Sequence, residues 1–73
     1  MVNESPEPEI AREPVERLAG ILLSSLVALA EAGRVEEACR HAGAACVALR
    51  RSDPRAARRF DVLLHRLSPR LDW

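Results

Sequence analysis

Apolar side chains crowd the segment Val15 to Ala30, where Val15, Leu18, Ala19, Ile21, Leu22, Leu23, Leu26, Val27, Leu29 and Ala30 leave room for few polar neighbours. No β-branched alternation interrupts them, and the spacing predicts a helix over 14–32. Pro14 suits the first position of that helix, where its missing N–H is no loss, and Gly33 suits the residue just past its end. A second pattern follows after a tight connection. Val35, Ala38, Ala42, Ala45 and Leu49 repeat at alternating steps of three and four, predicting a helix over 34–51 with a narrow, small-sided seam flanked by Cys39 and Cys46. Glu36–Arg40 and Glu37–His41 stand four apart on its outer side, the spacing of helix-surface pairs. Asp53-Pro54 then reads as a cap and a first helical residue. Ala56, Phe60, Leu63, Leu64 and Leu67 fall on one face of a helix over 54–67, which Ser68-Pro69 closes.

The fold class expected is therefore all-α: a single helical domain over 14–73, arranged as a three-helix bundle. Residues 1–13, with Pro6, Pro8 and a glutamate-rich, apolar-poor composition, are expected as a disordered acidic tail. Leu71 and Trp73 are expected to fold back on the bundle or to enter a partner's groove.

The first helix does not divide into one apolar and one polar side. A helix apolar nearly all round asks to be covered nearly all round. Two short neighbours of the same chain cover it poorly, and small domains have thin margins of their own. Leu18, Ile21, Leu22, Leu23, Leu26 and Val27 are thus the expected contact residues for a second copy, most simply in a homodimer, or for another helical protein.

The stretch from Ala28 to Pro54, ALAEAGRVEEACRHAGAACVALRRSDP, resembles a tetratricopeptide-type helical hairpin. A first helix ends in Ala-Glu-Ala-Gly, Val-Glu-Glu-Ala opens a small-residue second helix, and Asp-Pro follows. Leu22, Leu29, Gly33, Ala38, Ala42 and Ala45 match the apolar, turn and small positions of that family. Ser25-Leu26 stands where the family prefers leucine followed by a small residue, and Pro54 comes about one turn late. The resemblance spans about residues 19–54 and implies a hairpin plus a third helix, protein–protein recognition and no chemistry. Such hairpins stack in groups of about three, so a lone one again implies self-assembly or a partner.

Composition narrows the alternatives. Seventy-three residues cannot hold a separate cofactor domain. Eleven arginines balance eleven acids, and lysine is absent. Arginine-only basicity with twelve alanines suggests a bacterial genome rich in GC. The balance is uneven along the chain: residues 1–33 carry six acids against two arginines, and residues 34–73 nine arginines against five acids. Arg51, Arg55, Arg58, Arg59 and Arg66 form a candidate anion or nucleic-acid contact, giving the alternative of a nucleic-acid-binding regulator that uses helix 3. Interrupting aspartates, the lack of stacking aromatics and the absence of Asn or Gln beyond Asn3 weigh against it.

Candidate chemistry is sparse. Cys39 and Cys46 are about 10 Å apart along one helix, too far to bond each other, and read as small buried hydrophobes. Cys39 and His41 point to different sides, so no metal-ligand pair is expected. Ser24 and Ser25 have no histidine nearby, and mid-helix serine returns its hydroxyl to a backbone carbonyl. No catalytic residues, metal or cofactor are expected, and the chain is not expected to be an enzyme. The longest uncharged run, Leu18 to Ala30, is shorter than the ~20 residues of a membrane span. With no basic, apolar leader, a cytoplasmic location is expected.

Overall fold

A computed structural model of the chain describes residues 8–71, with side chains from Glu13 onward. Three helices, α1 (Pro8–Glu31), α2 (Val35–Leu49) and α3 (Pro54–Leu67), are followed by a 3₁₀ turn at Ser68–Arg70. No strand occurs among the described residues, so the fold is all-α as expected. Residues 1–7 of the expected tail, and Trp73, lie outside the described residues.

The main departure from the sequence reading is at the start of α1. The helix is already formed at Pro8, the first described residue, so it does not begin at Pro14. Pro14 instead lies inside the helix, where it can donate no N–H to the carbonyl one turn back. At the other end the boundary falls as the glycine predicts. Gly33 has φ +92°, its N–H donates to the Ala30 carbonyl at 3.0 Å, and the Arg34 N–H donates to the Leu29 carbonyl at 3.1 Å. These two bonds make the Schellman closure, which left-handed backbone at this position permits.

α2 is shorter at each end than the seam implies, because Arg34 becomes its N-cap and Arg50 its C-cap. The expected outer pairing also changes: Glu37 turns back one turn to Arg34, at 2.5 Å, rather than forward to His41. α3 runs as its punctuation dictates. The Asp53 carboxylate accepts from the Ala56 N–H at 3.2 Å, Pro54 is the first helical residue, and the Ser68 hydroxyl donates to the Leu64 carbonyl at 2.7 Å.

α2 and α3 pack most extensively; α1 rests mainly on α2 and least on α3. The core joins Ala19, Leu26 and Ala30 of α1, Ala38, Cys39 and Ala42 of α2, and Ala56, Phe60, Leu63 and Leu67 of α3. Among the described residues, Phe60 is the one large side chain fully enclosed. Leu71 packs against this core, and an Arg70 guanidinium N–H donates to the Ala30 carbonyl at 3.4 Å, tying the end of the chain to the end of α1.

Helix lengths decide what stays open. α1 has 24 residues against 15 in α2 and 14 in α3. The tight turn at Gly33 aligns the C-terminal end of α1 with the start of α2. The first turns of α1 therefore project past the α2–α3 connection by about 12 Å.

Candidate interaction surface

The six side chains expected to contact a partner separate into three groups. Leu26, only 3% exposed, belongs to the interior of its own chain, which corrects its assignment to the contact face. It lies on one stripe of α1 with Ala19 and Ala30, the stripe that meets the other two helices. Leu23 is half-buried against the same core and is likewise mainly internal. Leu18, Ile21 and Leu22 remain 65%, 58% and 39% exposed, and they neighbour one another at steps of three and four along one flank of α1. Val27 is also exposed, but at 100° per residue it stands about 180° from Leu18 and cannot join that flank.

Between this flank and α2 runs an apolar groove of about 280 Å³. Val15, Leu18 and Leu22 line it from α1, Ala45 and Ala48 from α2, and Phe60 forms part of its floor. It stays open because α2 meets α1 here with alanines, which reach too little distance to cover leucines. Val15, Ala45 and Ala48 were not singled out in the sequence as contact residues. The signal for Val15 was present: it lies one and two turns before Leu18 and Leu22 on the same strip.

The arginines occupy a different side. Arg51, Arg55, Arg58, Arg59 and Arg66 are all exposed, as is Arg50. Among the described residues, none of these six approaches a carboxylate within 4 Å; the ion pairs are Glu13–Arg17, Arg34–Glu37 and Asp61–His65. Arg55, Arg59 and Arg66 share one strip of α3, with Val62 between them, and Arg58, three residues after Arg55, borders it. Glu16 of α1 lines a shallow polar hollow together with Arg55 and Arg59.

No constellation for catalysis or metal binding converges among the described residues. No group of three His, Cys, Asp or Glu side chains is placed to hold an ion. The Ser25 hydroxyl donates to the Ile21 carbonyl at 2.9 Å, the backbone return expected of a mid-helix serine. Cys39 is buried and Cys46 half-buried, both as free thiols. His65 is exposed, with its Nδ1 2.9 Å from the Asp61 carbonyl oxygen. No described helix is long and apolar enough to cross a membrane. No family model, curated protein or solved structure matches the chain.

Proposed function

We propose that this chain is a small helical protein–protein interaction module that self-associates through the open flank of α1, and that it performs no chemistry of its own. The observation that carries the reading is the exposure of Leu18, Ile21 and Leu22 beside a groove with almost no polar lining. A contiguous apolar patch of this kind marks an interaction site more often than scattered surface leucines do. The resemblance of the α1–α2 unit to a tetratricopeptide-type hairpin supports the same reading, since that family works by stacking and recognition.

Magnitudes favour a second copy as the partner. The exposed fractions of Val15, Leu18, Ile21 and Leu22 together amount to about two whole side chains. At about 1.5–3 kcal/mol per aliphatic side chain, covering them contributes roughly 3–6 kcal/mol per copy. An isologous pair counts the same patch twice, so the gain reaches the range of the ~4–15 kcal/mol that association costs. The expected outcome is a modest, concentration-dependent dimer.

Analytical ultracentrifugation at micromolar concentration tests this. The parent chain is expected to sediment as a dimer, and a Leu18→Glu/Ile21→Glu variant as a monomer with unchanged helical content. A parent that stays monomeric at the highest accessible concentration, or a variant whose mass does not fall, removes the proposal.

A further inference from the structure

The aspartates that interrupt the arginines in the sequence do not interrupt them along α3. Asp53 is buried, and one of its carboxylate oxygens accepts from the Ala56 N–H, so the group is turned into the start of the helix. Asp61 stands about 120–160° around α3 from Arg55, Arg59 and Arg66, at ~100° per residue. There its carboxylate lies 3.5 Å from His65 Nδ1, on another side of the helix. What remains is a strip of exposed guanidinium groups, Arg55, Arg59 and Arg66, with Arg58 at its border. Among the described residues none of these has a carboxylate within 4 Å. Glu16 of α1 lines the shallow hollow beside Arg55 and Arg59, one acid against two guanidinium groups, so the strip keeps a positive balance.

We propose that this strip binds the phosphate backbone of a double-stranded nucleic acid without reading its sequence. At ~1.5 Å per residue, Arg55 to Arg66 spans about 16 Å of one rigid helix. A duplex presents one negative charge per ~1.7 Å of its axis, so a row of that length faces several phosphates at once. The planar fork of arginine matches a phosphate group with two parallel hydrogen bonds. The chain's zero formal charge does not oppose this contact, because exposed charges more than ~8–10 Å away are screened at ordinary salt.

The side chains around the strip select this partner over other anions. Single strands are held by aromatic side chains on which their bases stack, and α3 has only Phe60, which is enclosed in the core. Sequence is read in the grooves largely by Asn, Gln, Ser and Thr beside arginine, and α3 carries none of those four. An anionic membrane surface takes a helix with a broad apolar face beside its basic one, whereas Val62 is the one large apolar side chain of α3 that is exposed. The strip lies on a different side of the molecule from the Leu18 flank, so this inference does not rest on self-association.

Fluorescence anisotropy of the full chain with a labelled DNA duplex of about 20 base pairs tests this over a salt series. With about three to four phosphates neutralised per strip, the logarithm of the affinity should fall against the logarithm of salt with a slope of about −2.7 to −3.6. Binding should therefore weaken about 40- to 150-fold between about 50 and 200 mM salt. A duplex of scrambled sequence should bind equally. The Arg55→Gln/Arg59→Gln/Arg66→Gln variant should flatten the slope by about 2.7 per strip, and Arg59→Gln alone by about 0.9, both with unchanged helical circular dichroism. Arg40→Gln, an exposed arginine of α2, should keep the parent slope. No binding at about 10 mM salt, or a triple variant with the parent slope, would overturn the proposal. So would tighter binding to a single strand of the same sequence, to polyglutamate or to phosphatidylserine vesicles, each of which would give the strip a different partner.

Discussion

Leu18 and Leu26 are chemically identical, lie two turns apart on α1, and should behave oppositely when shortened. Leu26 is 3% exposed and packs among Ala19, Ala30 and the α3 side chains, so Leu26→Ala removes buried methyl groups and leaves a void in a core built largely of alanine. Such truncations cost about 2–5 kcal/mol. At ~0.05–0.15 kcal/mol per residue, a domain of this size has a total stability of roughly 4–11 kcal/mol. Leu26→Ala should therefore remove at least about a sixth of the folding free energy and can abolish folding. Leu18 is mostly exposed within one copy, so Leu18→Ala forfeits only about a third of an aliphatic burial, roughly 0.5–1 kcal/mol. Urea unfolding followed by circular dichroism at low micromolar concentration separates the two. The midpoint should drop far more for Leu26→Ala, with the slope unchanged. Raising protein concentration should stabilise the parent and Leu26→Ala, but Leu18→Ala much less, because association adds stability only where the patch survives. Equal losses for the two variants in dilute solution would refute the assignment of the buried stripe on α1.

Further outcomes follow from the turns and caps. A Cβ on Gly43 would meet nothing within 4 Å, so Gly43→Ala should stabilise α2 by about 1 kcal/mol, seen as a rise in melting temperature of roughly 4–8 °C. Gly33 also has open space around it but sits at φ +92°, so Gly33→Ala should lower the melting temperature despite the absence of any clash. Asp53→Ala removes the acceptor for the Ala56 N–H and should cost about 0.5–2 kcal/mol in thermal unfolding, whereas Asp53→Asn should restore most of it.

How much of this could be read from the residues differs by helix. α3 was legible to its boundaries. Its apolar positions make one clean stripe, and Asp53-Pro54 and Ser68-Pro69 punctuate it by chemistry that acts locally. Gly33 was legible for the same reason. α1 was not, because a helix apolar on most sides carries no internal mark of which side its neighbours will take. Leu26 and Leu18 look alike in the sequence and are separated only by where α2 and α3 lie. The start of α1 was misplaced because Pro14 satisfies the rules for a first position, yet the helix runs through it. The open groove needed knowledge of two helices at once: leucines on one and alanines on the other leave it uncovered. The arginine patch was visible as composition, but its separation from the apolar flank depended on the order in which the helices pack.

The alanine-lined contact of α2 has a thermal consequence. Ala38, Ala42 and Ala56 let the backbones approach closely but withdraw little hydrocarbon from water, leaving Leu26, Phe60, Leu63 and Leu67 as the large buried side chains among the described residues. The heat capacity released on unfolding scales with newly wetted apolar area. A single copy of this chain therefore has a flat stability curve with no deep optimum, and it loses its native state gradually on warming.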